Sequence, residues 1–426
     1  MKYLVYVVSI FILLCFDFVW LGGIIPIWIF LTGVIILINL NQINYVLTKI
    51  LSKEIKKIIF YFFVYTIYIL VIKLFSDSFD FEYAVGMISI VSFITFILVG
   101  YKLNTKDLIL VVGFSILFHG LFVIGQVLGY SWAWDFVSSL MSSKESISKG
   151  TTDLVNERYY DNAFSAYGRV KGTNVHIHVF SSIIGSLAMF LFLAVKEKLI
   201  VFKSRLKELI TFLISLIGLM SLFLTFTRSI IIPSLLIFLY NILKFKNSFK
   251  NIIILFFIGS LVFISYNYFF ESIEFRAFNR LFTSFGDDVS NADQVRLMTY
   301  KTSFDAISDS PFFGGGRYNY DVPPHNIILN IAVKFGILGL IFYLIAIWNL
   351  FKFYFKRRSM FLNKKHKILV SLLGIVFFIN LFNAMFHTNT YLNKSTYQLL
   401  FTAVIIGQIL REEQIIKYFF DKRKTM

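Results

Sequence analysis

Three ionisable residues stand at the lips of apolar runs, and their types set the chemistry they could do. Arg228 sits in Thr227-Arg228-Ser229, between two apolar stretches. Arg296 follows Asp293-Gln294-Val295, and His325-Asn326 heads a long apolar run. A guanidinium stays charged and grips phosphate oxygens two at a time. An imidazole titrates near neutral pH and can take a proton from a hydroxyl. Each residue alone has a plainer explanation. An arginine can snorkel to lipid headgroups, and a histidine at a helix start is often structural. Charge this close to hydrocarbon is unfavourable without a partner, however. Two arginines and a histidine on one face predict a site for a pyrophosphate and an attacking hydroxyl.

Other polar groups extend the set. Asn326, Asn330 and Lys334 recur every four residues, a polar stripe on the first turns of a helix. Such stripes line cavities or face partner helices, because lipid penalises them. The turn Gly314-Gly315-Gly316-Arg317 precedes His325, and an earlier polar segment ends in Tyr167-Gly168-Arg169-Val170-Lys171-Gly172-Thr173-Asn174. Arg169, Lys171, Asn174, Arg317, Asn326 and Asn330 are the candidate substrate contacts. Tyr130, Trp132, Trp134, Tyr159, Tyr160 and Tyr167 could stack on sugar rings. Trp132 and Trp134 equally suit an interfacial aromatic belt. His176 and His178 fall on nearly opposite sides of a helix, so no metal pair is expected there. Gly336 and Gly339 read as positions for close helix packing.

What must position these groups is a membrane scaffold. The 426 residues are 58% hydrophobic and 15% charged, with a mean hydropathy of +0.75. No soluble globular chain needs that much apolar surface. A crossing takes roughly 20 apolar residues, and about twelve such runs can be counted. They lie near 3–20, 23–41, 57–75, 81–101, 107–128, 175–195, 209–227, 229–245, 251–270, 325–350, 368–386 and 396–411. The first two are coupled through Leu21-Gly22-Gly23 and read equally as one span plus a re-entrant segment. The N-terminal run lacks a small-residue cleavage site and reads as an uncleaved span. Most of the 41 Lys and Arg residues fall in alternate short loops, around 49–57, 102–106, 196–207, 244–250, 352–367 and 411–424. The positive-inside rule then places both termini in the cytoplasm. The net charge of +17 is thus a topology signal, and nucleic-acid binding is not expected. The lone Cys15 excludes an intramolecular disulfide and argues against a cysteine metal site.

The fold class that follows is an all-α polytopic membrane protein. One integral domain carries two long extracytoplasmic loops, residues 129–174 and 271–324. Loops of that length are usually functional or disordered, and these contain aromatics and helical pattern. In the second, Asn291 caps a helix with Gln294 in support. Leu297, Tyr300, Phe304 and Ile307 share a stripe, and Asp309-Ser310-Pro311 ends it. This amphipathic helix suits the membrane surface and would hold Arg296 near the interface.

Several chemistries are missing. Gly314-Gly315-Gly316 lacks the Lys-Ser/Thr of a phosphate loop, so nucleotide binding is not expected. There is no GxSxG elbow. No Asp-x-Asp pair suggests a divalent metal for a nucleotide sugar, and no redox or other cofactor is indicated.

The residues in order resemble the bacterial O-antigen polymerase and O-antigen ligase family of membrane glycosyltransferases. The resemblance rests on Phe226-Thr227-Arg228-Ser229 at a span end and on Arg296 in an amphipathic helix. It continues through Ser310-Pro311-Phe312-Phe313-Gly314-Gly315-Gly316, His325-Asn326 with Leu329, and Phe335-Gly336 with Gly339-Leu340. It is best over roughly residues 165 to 350. It implies an undecaprenyl-pyrophosphate-linked glycan as donor, a lipid-linked or core acceptor, and no metal or cofactor. Arg228 and Arg296 would hold the pyrophosphate, and His325 would orient or deprotonate the acceptor hydroxyl. Lys334 stands where the family pattern often carries an acid, a departure that bears on the acceptor side. Within the family the Phe/Ile/Lys/Asn-rich composition favours the polymerase branch over the ligase, for an O-antigen or a capsule. A chain-length regulator and a flippase of the same pathway are the expected protein partners, in the bacterial inner membrane. A flippase is also the competing class, yet flippases show midplane polar groups and internal repeats.

Overall fold

The computed structural model describes residues 2–16, 20–21, 25–42, 48, 51–74, 81–136, 177–202, 204–225, 227–243, 259, 291–314, 324, 326–360, 362–386 and 396–424. Long apolar sequence becomes helix because a backbone without water must satisfy its own hydrogen bonds. The chain begins with α1 (Lys2–Phe16). A two-residue antiparallel pair, β1 (Trp20–Leu21) with β2 (Ile25–Pro26), turns it into α2 (Ile27–Ile38). Then follow α3 (Lys53–Leu74), α4 (Phe81–Lys102), α5 (Thr105–Val127), α6 (Ile177–Lys196), α7 (Arg205–Leu224) and α8 (Arg228–Leu243). The C-terminal part holds α9 (Asn291–Asp309), α10 (Ile327–Ser359), α11 (Lys364–Phe386) and α12 (Thr396–Lys424).

Among the described residues, six helices are long and apolar enough to cross a membrane: α3, α5, α6, α7, α10 and α11. As described, the 15 residues of α1 and the 12 of α2 are both shorter than a full crossing. The apolar stretch 251–270 lies outside the described residues, save Gly259.

Two helices form the centre. In α6, Phe180, Ile184, Leu187 and Phe190 are all fully buried, and α5, α7, α8 and α11 surround it. In α12, Leu399 through Ile406 are equally buried, packed on α4 and α11. The α4–α12 contact is close because Gly100 and Gly407 face it. A Cβ on Gly100 would stand 2.1 Å from the Val404 carbonyl oxygen, and one on Gly407 2.2 Å from that of Ile97.

The described basic segments around 53–57, 102–106, 352–367 and 411–413 gather at one end of the bundle. There Arg357 meets Glu413, Lys365 meets Glu412, and Arg411 reaches the Leu103 carbonyl. The opposite end collects the heads of α6, α8, α10 and α12 and the ends of α7 and α11. All the candidate residues with a described backbone lie at this second end or on α9, which packs against α10.

Candidate functional site

The head of α8 is built from three consecutive polar residues. Thr227 and Ser229 flank Arg228 and are 2% and 6% exposed. The Thr227 carbonyl accepts from Ile230 N and Ile231 N, both at 3.0 Å, so the helix starts there. Ser181 Oγ of α6 lies 3.0 Å from Thr225 Oγ1 and 2.7 Å from Thr227 Oγ1. On the other side of Arg228, the Ser229 hydroxyl donates to Asn383 Oδ1 of α11 at 2.8 Å. Hydrogen bonds between buried hydroxyls and amides therefore hold the backbone of Arg228 from both sides. For Arg228 the structure describes that backbone alone.

The head of α10 is fixed on the same helix end. Asn326 Oδ1 accepts from Ile328 N (2.9 Å) and Leu329 N (3.2 Å), the expected N-cap geometry. Its Nδ2 donates to the Met385 carbonyl of α11 at 3.1 Å. Both ends of the Asn326 amide are thus engaged in holding the backbone beside position 325. Asn383 and Met385 are two residues apart, about 3 Å along the axis of α11. The tip of α11 therefore braces the segment of Arg228 and the segment that follows His325. His325 itself lies outside the described residues, as do Arg169, Lys171, Asn174 and Arg317.

Arg296 belongs to α9, again with only its backbone described. The sequence expectation of a helix here holds, from Asn291 to Asp309. Its inward face differs from the apolar stripe. Ser303 and Ala306 are buried at 1% and 5%, whereas Phe304 is 59% exposed and Met298 68%. In a chain of this hydropathy an outward apolar side chain can meet lipid, so periodicity does not tell inside from outside. Position 296 is two turns before Ser303.

A break in α10 anchors that loop. Gly336 has φ +70°, and the helix is interrupted there. A Cβ at Gly336 would stand 2.1 Å from the Phe312 carbonyl oxygen. In the opening, Ile337 N donates to the Pro311 carbonyl at 2.8 Å. The Tyr68 hydroxyl of α3 donates to the Phe335 carbonyl at 2.8 Å, satisfying an acceptor the break releases. Gly314, at φ +76°, lies against the same backbone. Gly336 thus does more than allow close packing: it opens the helix so that the turn after α9 docks into it.

Sequence reading missed a buried polar cluster behind these heads. Ser182 Oγ accepts from Gln398 Nε2 (2.9 Å) and donates to Asn380 Oδ1 (2.5 Å). Asn380, Asn383, Gln398 and Ser182 are all fully buried, and Asn330 is 3% exposed. Yet among the described residues Asn380 Nδ2, Asn383 Nδ2, Gln398 Oε1 and Asn330 Oδ1 have no hydrogen-bond partner. Each open valence of this kind costs about 1–3 kcal/mol. The signal was present in the sequence only as amides inside apolar runs, at 380, 383 and 398.

Residues 213–344 of the chain match a family model described as O-antigen ligase. The matched segment holds Arg228, Arg296 and position 325, and it ends just past the break at Gly336. No curated protein matches the chain.

Proposed function

We propose that this chain, which through residues 213–344 belongs to the O-antigen ligase and polymerase family, polymerises surface-polysaccharide repeat units. The family is one of membrane glycosyltransferase-like enzymes acting on lipid-linked glycans. The donor in this reading is a glycan chain on undecaprenyl pyrophosphate, and the acceptor is a sugar hydroxyl of an incoming lipid-linked repeat unit. The observation that carries it is the shared brace on α11. It fixes the backbone of an arginine at one helix head and the residue after a histidine at the next.

In this mechanism Arg228 and Arg296 hold the pyrophosphate and stabilise the charge that grows on it as the anomeric C–O bond breaks. His325 orients the acceptor hydroxyl or takes its proton as the new C–O bond forms on the opposite face. The lipid pyrophosphate leaves, and a single displacement inverts the anomeric configuration. The reaction face is extracytoplasmic, because the basic end of the bundle is read as cytoplasmic. Asn326 acts here by capping α10 beside His325.

The description of the family model as a ligase supports a second reading, in which the finished chain passes to a lipopolysaccharide core. A polysaccharide gel separates the two. Cells lacking the gene are complemented with wild type or with Arg296→Ala. A surface glycan of one repeat unit, restored to a ladder by wild type and not by Arg296→Ala, is the expected result. Long chains that stay on the lipid carrier would make the protein a ligase. Repeat units that never reach the outer leaflet would make it a transporter.

A further inference from the structure

The buried amides of α11 have open valences that the capping and bracing roles do not use. Asn380 and Asn383 lie three residues apart, so their side chains share one face of the helix. Each offers its oxygen to a serine of a neighbouring helix, Ser182 of α6 and Ser229 of α8. Each is left, among the described residues, with an unpaired, fully buried amide nitrogen. Buried polar groups in folded proteins are almost always paired, so two open donors on one helix face need an explanation.

Their place supplies one. Asn383 is bonded to Ser229, the residue after Arg228 at the head of α8. The head of a helix carries the positive end of its dipole and favours anions. Among the described residues no Asp or Glu bonds to this cluster. The open acceptor beside them, Gln398 Oε1, complements the donors. A ligand that brings both anionic oxygens and hydroxyls satisfies such a set. A bare cation or a hydrocarbon does not.

We infer that Asn380 and Asn383 form a hydrogen-bonding subsite for the glycosyl pyrophosphate of the lipid-linked donor, their amide nitrogens donating to phosphate oxygens beside the head of α8. This rests on the proposed function and adds two binding residues to it. Ser182 and Ser229 are positioning residues in this arrangement, since each fixes which end of an amide faces the ligand.

The experiment measures binding of undecaprenyl pyrophosphate to the purified full chain in lipid nanodiscs, with undecaprenyl phosphate as the comparison lipid. Variants are Asn383→Leu, Asn380→Leu, Asn383→Asp and Ser229→Ala. The aspartate nearly matches asparagine in shape and still accepts from Ser229, yet it removes the donor. It keeps the test decisive should leucine fail to fold. Wild type is expected to prefer the pyrophosphate. Asn383→Asp and the folded leucine variants should weaken its binding about tenfold or more, and Ser229→Ala about threefold. Binding within a factor of two of wild type in Asn383→Asp would mean that resident water alone fills the cluster, and would overturn the inference. Wild type that ignores undecaprenyl pyrophosphate altogether would instead overturn the proposed function beneath it.

Discussion

Two glutamines of α12, ten residues apart, divide the molecule. Gln408 is fully used. Its Nε2 donates to the carbonyls of Gly100 (2.6 Å) and Leu103 (2.7 Å), and its Oε1 accepts from Thr105 at 2.7 Å. Gln398, at the other end of the bundle, spends its nitrogen on Ser182 and leaves its oxygen open. The neighbours follow suit. At the basic end, Arg357 is 4% exposed and sits 4.0 Å over the Phe353 ring. Its Nε lies 3.2 Å from Glu413 Oε1 and one terminal nitrogen 3.5 Å from Glu54 Oε2. His366 Nε2 lies 3.3 Å from that same Glu413 oxygen, although among the described residues its Nδ1 and the Arg357 Nη1 have no hydrogen-bond partner. At the opposite end four amides carry an open atom. Groups that are closed against each other tie helices together. Groups left open are available to something else, and that contrast is the one the proposed reaction at this end requires.

The contrast predicts that substitutions at the two ends act on different quantities. The largest losses of turnover are expected at the open end. Arg228→Lys and Arg296→Lys keep the charge and lose the bidentate fork, and each should cut transfer by about a hundredfold or more. His325→Ala should abolish transfer while the donor still binds. Single-turnover transfer assays on the purified chain check all three. Full activity in both lysine variants would remove the pyrophosphate site from this end.

The joint between α9 and α10 comes next. Gly336→Ala places a Cβ against the Phe312 carbonyl and asks a non-glycine residue to hold φ +70°. Left-handed backbone costs an L-residue about 1–2 kcal/mol before any clash is counted. The turn at Pro311 should therefore undock, with turnover down about tenfold and a lower melting temperature. Protease sensitivity within 291–314 gives a direct readout. A variant as resistant and as active as wild type would show that the break in α10 does not hold the loop.

How much of this was readable beforehand depends on whether a feature is local. The helix heads at Arg228 and Asn326 were legible, because a polar residue at the edge of an apolar run has few other uses. So was the basic end, since loop charge needs no knowledge of packing. The α9 helix was legible as a helix, but its inward face was not. Ser303 and Ala306 face α10 while Phe304 faces out, and hydrophobicity cannot rank two apolar surroundings. The pair Asn380 and Asn383 was invisible for a different reason. An amide in an apolar run declares nothing until Ser182, Ser229 and Gln398, from three other helices, are found beside it. The break at Gly336 was equally tertiary, because its hydrogen bonds come from the chain at Pro311 and from Tyr68.

Changes at the closed end should move stability and leave turnover per folded molecule alone. Arg357→Ala takes its arginine partner from Glu413, which is 20% exposed and keeps only the His366 contact among the described residues, and takes the contact from Phe353. Removing one partner of a buried pair costs roughly 3–5 kcal/mol, and partial exposure places this case at the lower edge. A fall in melting temperature with unchanged turnover is expected. A selective loss of turnover would mean that the two ends are coupled.

The smallest effect belongs to Lys356, which shares Glu54 with Arg357. Its Nζ lies 2.5 Å from Glu54 Oε1, closer than either of the Arg357 carboxylate contacts. Distance alone would make it the stronger partner. Its side chain is 56% exposed, however, against 4% for Arg357. Water and counterions screen it, and an exposed pair contributes about 0–1 kcal/mol. Burial rather than distance should therefore rank the two, so Lys356→Ala should leave both melting temperature and turnover close to wild type. Thermal melts of the two single variants and the double variant measure it. If Lys356→Ala destabilised the protein as much as Arg357→Ala, with the double variant no worse, the basic end would act as one coupled unit. Glu54 would then be its keystone, and its closed hydrogen bonding would have to be judged as a network rather than residue by residue.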